Sequence, residues 1–169
     1  KNPRVKSLQY YEILGGLHWK LENYEQVIEY LEIAIKLTEL STGDNAPTLP
    51  VLKSRLGMCY LYLDNIEKAK TLTKEALKQA KLIGMSIKDI DFRRCLDNVS
   101  GVLIFQEEYK SAITSLKETL QEEDKKYPNY WIKNVELAKV LLMDNQCAEA
   151  ELILKNSLKK IQSFYGKEN

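Results

Sequence analysis

The feature that most constrains this chain is that it repeats itself. Leu14-Gly15-Gly16-Leu17-His18 leads to Asn23-Tyr24, then to Val27-Ile28, Leu31 and Ala34-Ile35. The same order returns as Leu56-Gly57-Met58-Cys59-Tyr60, Asn65-Ile66, Ala69, Thr73 and Ala76-Leu77. It returns more weakly as Val99-Ser100-Gly101-Val102-Leu103, Glu108-Tyr109, Ala112-Ile113, Leu116 and Thr119-Leu120, and then as Leu137-Ala138, Leu141, Asn145, Cys147, Ala150, Leu154 and Ser157-Leu158. The equivalent positions Val27, Ala69, Ala112 and Ala150 are 42, 43 and 38 residues apart, a period that belongs to helical solenoids.

Within each unit, apolar residues at spacings of three and four lie on either side of a short polar break, so each unit reads as two helices and the chain as eight. The breaks are Glu22-Asn23, Asp64-Asn65, Gln106-Glu107 and Asp144-Asn145, and Asp and Asn suit such places because their side chains accept from free backbone N–H groups. Between units the punctuation is stronger. Gly43-Asp44-Asn45-Ala46-Pro47 ends one helix, and Pro47 or Pro50 opens the next. Gly84 stops the fourth helix before Ser86-Ile87-Lys88-Asp89 starts the fifth in a capping-box-like arrangement, and Tyr127-Pro128-Asn129 parts the third unit from the fourth. The repeats are expected at residues 7–43, 47–84, 87–126 and 129–165 of a single array over 1–169.

Small residues explain how the helices approach. Gly15, Gly57, Ser100 and Ala138 share one position on the first helix of each unit; Val27, Ala69, Ala112 and Ala150 share one on the second, with Ala34 and Ala76 a further two turns along. A long side chain there would hold two backbones apart. No helix pair of this kind buries its apolar face alone, so pairs must stack into a continuous core, an all-α right-handed superhelix whose inner face is made largely by first helices.

Leu-Gly, an aromatic or apolar residue three after the glycine, an aromatic or Ile before the second helix, then Ala and Ala-Leu resemble tetratricopeptide repeats over nearly the whole chain. The position of the signature Trp holds Tyr11, Lys53, Leu96 and Asn134. The long period is similar to that of the kinesin light chains and of the Leu-Gly-Asn spindle-orientation adaptors. Gly43-Asp44-Asn45 and Tyr165-Gly166-Lys167-Glu168-Asn169 look like linkers of the former, Ala80-Lys81-Leu82-Ile83-Gly84 like those of the latter.

The resemblance implies a non-enzymatic scaffold or adaptor that holds an extended peptide or a single helix of a partner protein on the concave face of the first helices. Counted from the shared small residue, that face includes Glu12, Gly16, Trp19, Lys20, Arg55, Met58, Tyr62, Arg94, Asn98, Gly101, Phe105, Lys139, Leu142 and Met143. Aromatic, thioether and cationic side chains together suit a ligand with apolar anchors and acidic residues. The plain alternative for Trp19, Tyr62 and Phe105 is packing between adjacent pairs. Some chaperone-binding repeats clamp a terminal carboxylate with Lys and Asn; the corresponding places in the first unit carry Glu12, Ile13 and Gly16, which argues against that activity here. Two other functions remain open: a peptide-gated regulatory module of a larger regulator, and a self-associating spacer.

Composition narrows the rest. One His, three Cys and seven Gly leave most metal, triad and phosphate-loop chemistry without material, so no enzyme, metal or cofactor is expected. Net charge is +1, which removes the case for a nucleic-acid or anionic-membrane binder. Lys68, Lys70, Lys74, Lys78 and Lys81 read as a solvated outer face, Arg93 as another, and Lys125-Lys126 as the favourably charged end of a helix. His18 reads as a packing residue, and Cys59, Cys95 and Cys147 as reduced, buried thiols of a cytoplasmic or nuclear rather than secreted protein. The chain begins without Met, and Leu152, Ile153, Leu154, Leu158 and Ile161 leave its last helix apolar on more than a narrow face. A fragment of a longer array, or a homodimer through the terminal repeats, would account for this.

Overall fold

The structure, a computed structural model, describes residues 3–165, with side chains over 9–164. Of the expected linker 165–169, all but the backbone of Tyr165 lies outside the described residues, as does the start of the chain at Lys1-Asn2. The described residues form eight helices in the expected order: α1 (Pro3–Lys20), α2 (Tyr24–Thr42), α3 (Thr48–Tyr62), α4 (Ile66–Leu82), α5 (Ile90–Phe105), α6 (Tyr109–Gln121), α7 (Pro128–Met143) and α8 (Cys147–Tyr165). They fall into two compact units that divide after Val102, inside α5.

Every turn inside a helix pair is built the same way. Glu22, Asp64, Glu107 and Asn145 each sit in the left-handed region, at φ of 55, 58, 58 and 59°. The N–H of the next residue then reaches back across the turn: Asn23 to His18 O at 3.0 Å, Asn65 to Tyr60 O at 2.8 Å, Glu108 to Leu103 O at 2.9 Å and Gln146 to Leu141 O at 2.8 Å. This closes the first helix of each pair in a Schellman-type cap. The carbonyls of Asn23, Asn65, Glu108 and Gln146 accept the first bond of the following helix, from Val27, Ala69, Ala112 and Ala150. At α4 the Asn65 side chain also caps, accepting from Lys68 N–H at 3.3 Å.

The shared small residues lie where helices meet, and the closeness differs. A Cβ on Gly57 would sit 3.0 Å from Thr73 Cγ2 and 3.2 Å from Ala69 O, whereas one on Gly15 would meet only Tyr30 Cβ, at 3.9 Å. Gly15, Val27, Ala34, Ala69, Ala76, Ala112, Ala138 and Ala150 are all buried. In the first unit Leu52, Leu56 and Cys59 of α3 pack on Val27, Leu31 and Ala34 of α2, and Phe92 and Leu96 of α5 pack on Ala80 with Leu77 of α4. In the second, Leu137, Val140 and Leu141 of α7 pack on Ala112, Ile113 and Leu116 of α6. Buried hydroxyls are satisfied locally: Thr38, Thr73 and Ser100 each donate to the carbonyl four residues back, at 2.8 Å.

Four expectations need correction. α5 begins at Ile90 and not within Ser86-Ile87-Lys88-Asp89, where Asp89 Oδ2 accepts from Ser86 N at 2.7 Å and folds 86–89 into a separate turn. Arg93 is not a solvated cation, since it donates to the carbonyls of Ile87 and Lys88 at 2.9 and 3.0 Å and closes that turn. Lys125 and Lys126 lie beyond the end of α6 at Gln121, in a loop pinned by Trp131 Nε1–H donating to Lys125 O at 2.9 Å. Cys147 is exposed, at the first position of α8.

Candidate functional site

In the first unit, α1, α3 and α5 line a cavity of about 560 Å³. Its walls carry five charged side chains, Glu12, Arg55, Asp91, Arg94 and Asp97, beside Asn98, with Thr48, Val51 and Leu52 as the remainder. The helical register puts them there: Glu12 and Asp97 stand three residues before the small residues Gly15 and Ser100, and Arg55 and Asn98 two before Gly57 and Ser100.

The polar groups are held. Arg94 donates to Asp91 Oδ1 at 3.0 Å, so part of its charge is matched within the site. Asn98 donates through Nδ2 to Ser54 Oγ at 3.0 Å, and Ser54 in turn donates to Val51 O at 2.9 Å, tying α5 to α3 beneath the cavity. Two thiols of the first unit, Cys59 on α3 and Cys95 on α5, are fully buried. Burial pushes Cys59 up to about 12 despite the nearby Arg55 guanidinium, and burial pushes Cys95 up to about 11 despite a hydrogen bond with Ser54. Neither is a nucleophile at neutral pH.

A second cluster of the first unit gathers at the turn ends of α1 and α3. Tyr24 and Tyr62 stack with centroids 4.6 Å apart and planes at 8°, and Trp19 stands edge-on to both at 5.5 Å. Desolvation raises the Tyr24 phenol above its ordinary value, with the Glu22 carboxylate adding to it. Lys20 is exposed one residue away.

Of the residues expected on the concave face, the structure therefore brings Glu12, Arg55, Arg94 and Asn98 into one cavity and Trp19 and Tyr62 into one aromatic cluster. Met58 instead packs: its Sδ and Cε lie 3.0 Å from where a Cβ on Gly101 would be, and it joins Leu61, Ala69 and Val102. His18 packs against Tyr30, centroids 5.4 Å apart. Phe105, Leu142 and Met143 belong to the second unit and are exposed. There Met143 and Lys139 line a cavity of about 550 Å³ with Ile104, Ile132 and Val135, and Leu142 lines one of about 440 Å³ with Leu154 and Leu158. Sequence reasoning missed Asp91, Asp97 and Tyr24. Counting three residues back from Ser100, as for Glu12, names Asp97; nothing in the sequence singled out Tyr24 as the stacking partner of Tyr62.

Among the described residues there is no group of three or more His, Cys, Asp or Glu side chains able to hold a metal, and no helix long and apolar enough to cross a membrane.

No family model matches the sequence. Over 83 residues the chain is 30% identical to response regulator aspartate phosphatase E of Bacillus subtilis, a match covering 49% of this chain and 22% of that protein. Among solved structures it is similar to a putative kinesin light chain with nearly identical TPR-like repeats from Podosopora anserina, with TM-score 0.80, 14% identity and coverage of 98% of this chain and 78% of the other. It is similar also to BtubC (BKLC) from P. vanneervenii, with TM-score 0.77, 16% identity and coverage of 100% and 68%. At such identities the likeness is one of fold, and it agrees with the repeated turn and the small-residue register: the chain has the tetratricopeptide-like helical-repeat fold.

Proposed function

We propose that this chain is a non-enzymatic protein-interaction module of the cytoplasm or nucleus that takes an extended peptide segment of a partner protein into the cavity between α1, α3 and α5. The observation that carries this reading is the meeting of Arg55, Arg94 and Asn98 with three carboxylates over an apolar floor of Val51 and Leu52. Arg55 and Arg94 pair with ligand carboxylates, and Asn98 offers hydrogen bonding to a peptide backbone. Glu12, Asp91 and Asp97 add a place for a basic ligand residue, so the peptide carries both signs of charge around an apolar anchor. The Trp19–Tyr62 cluster provides a second apolar contact, as aromatic anchors do at protein interfaces. Because the Arg94 side chain is mostly exposed, a guanidinium–carboxylate contact there is worth about 0.2–1 kcal/mol, a few-fold in affinity.

Selection from a displayed random-peptide library tests this. The wild-type chain is expected to enrich peptides with an acidic residue near an aliphatic one, and Arg55→Glu/Arg94→Glu to lose them and enrich basic peptides. The same consensus from both proteins sinks the reading.

One observation favours a second reading. The 83-residue match to a response regulator aspartate phosphatase supports a regulatory module whose peptide ligand changes the output of an attached or partner domain. A peptide selected as above would then alter the hydrogen-exchange protection of helices remote from the cavity, and unchanged protection there leaves the plain adaptor.

A further inference from the structure

Beneath the α1–α3–α5 cavity lies one polar group with no direct part in its wall. Ser54 stands three residues before Gly57 of α3, the register position that Glu12 holds on α1 and Asp97 on α5. Glu12 and Asp97 line the cavity, whereas Ser54 is fully buried. Its hydroxyl has a single proton, and Oγ spends it on Val51 O at 2.9 Å, an atom that can only accept. Toward Asn98 of α5, Ser54 Oγ is therefore an acceptor, and the carboxamide atom that meets it at 3.0 Å is the donor Nδ2. The hydroxyl thus decides which end of the Asn98 amide faces down into the packed layer. The other end, Oδ1, accepts from no described residue and stays accessible at the cavity wall.

We propose that Ser54 is a positioning residue of the peptide site: it pins the Asn98 carboxamide so that Oδ1 is the atom offered to the ligand, which must meet it with a backbone N–H. The assignment rests on the peptide reading of this cavity and adds the polarity of one contact within it. A proline, which has no backbone N–H, is excluded from that position of the ligand. Ser54 acts without touching the peptide. A carboxamide free to turn has to be ordered when the ligand arrives, and one already held by Ser54 does not, so the hydroxyl raises affinity through Asn98 alone.

Two readouts test this, on proteins whose helical circular dichroism is first shown to be unchanged. The first needs no ligand. Proton exchange measured by NMR is expected to show one Asn98 side-chain N–H slowed relative to exposed asparagines in the wild-type chain, and no longer slowed in Ser54→Ala. A wild-type carboxamide that exchanges like an exposed one overturns the proposal. The second readout uses the tightest peptide from the random-library selection, remade as a series in which each backbone N–H in turn is replaced by an ester oxygen. The wild-type chain is expected to lose about threefold to tenfold in affinity at one position where Asn98→Ala loses nothing further. Ser54→Ala is expected to bind the parent peptide about threefold more weakly and to show a smaller loss at that position. On the Asn98→Ala background Ser54→Ala is expected to change nothing, whereas a hydroxyl that merely supports the fold would weaken both backgrounds alike. Equal losses in the two backgrounds overturn the proposal, and so does an ester series that treats wild type and Asn98→Ala alike, a comparison that stands without the Ser54 variant. A peptide that loses affinity on Arg55→Glu/Arg94→Glu and ignores Ser54→Ala sinks this assignment alone. One that binds Arg55→Glu/Arg94→Glu as tightly as wild type sinks the peptide reading and takes the assignment with it.

Discussion

The first helices of the two units occupy equivalent register positions and present opposite chemistry. Six and three residues before the shared small position, α5 carries Arg94 and Asp97, and α7 carries Ile132 and Val135. The cavity of the first unit is accordingly walled by five charged side chains, while that beside α7 is walled by aliphatic ones with Glu136 and Lys139 at its edge. The repeat decides where a side chain stands and leaves its chemistry free. A shared fold therefore says little about a shared ligand, and the two units should answer differently to reagents that probe charge, burial and apolar surface.

The widest separation is expected for thiols. At pH 8 a thiol raised from its ordinary value near 9 to about 12 has about 10³-fold less thiolate, and one raised to about 11 about 10²-fold less. In dilute native protein, Ellman's reagent should titrate Cys147 of the second unit promptly and reach Cys59 and Cys95 of the first only when denaturant is added. Two or three fast thiols would break the comparison. The same shifts carry a pH dependence. In the unfolded chain the thiols ionise near pH 9, and in the folded chain they hold their protons to about 11 and 12. Stability present below pH 9 is therefore lost as pH rises from there toward 11–12. Cys59→Ala/Cys95→Ala, less stable at neutral pH, should show a smaller fall between pH 9 and 11 in urea titrations.

Next in size is the small-residue position. Gly57→Leu should cost about 3 kcal/mol, because the added atoms meet the Ala69 carbonyl and not a movable side-chain end. Gly15→Ala, at the equivalent place, should gain about 0.5–1 kcal/mol, since its Cβ has room and alanine favours the helix. Thermal melts of the two proteins check the opposite signs. The second unit already carries alanine there, at the fully buried Ala138.

Apolar surface gives a smaller contrast. ANS fluorescence in the presence of this protein should fall several-fold in Ile132→Lys/Leu158→Arg and stay level in Arg55→Glu, because the dye reports exposed hydrophobic surface. Equal losses would show that the charged cavity binds the dye as well.

How much of this could be read beforehand follows from what periodicity encodes. The eight helices and their breaks are legible because the two helices of each pair are joined by the same polar turn and the shared position on each first helix holds a small residue. Which side a residue serves was less legible. Met58 and Arg55 are one helical turn apart on α3, yet Met58 fills the space above Gly101 and Arg55 lines a cavity. A helical stripe fixes a direction, and the identity of what lies in that direction is set by the next helix. Arg93 is hidden from the sequence for the same reason: its partners are backbone carbonyls of a turn, which have no sequence signature.

The four turn residues offer the finest test, and the one on which the two units should agree. Glu22, Asp64, Glu107 and Asn145 share a left-handed backbone within 4° of one another. For an L-residue with an ordinary side chain that conformation costs about 1 kcal/mol, whereas Asn and Asp tolerate it through local hydrogen bonding. Glycine removes the steric cost and adds flexibility to the unfolded chain, so the net gain is a fraction of that figure. Glu22→Gly in the first unit and Glu107→Gly in the second should each stabilise by about 0.5 kcal/mol, and Asp64→Gly and Asn145→Gly by less. Urea midpoints of the four variants read this directly. The ranking should follow residue type and not the unit. If Glu22→Gly and Glu107→Gly instead moved in opposite directions, the turn would not be a common part of the repeat, and the shared register on which the comparison of the two cavities rests would fail with it.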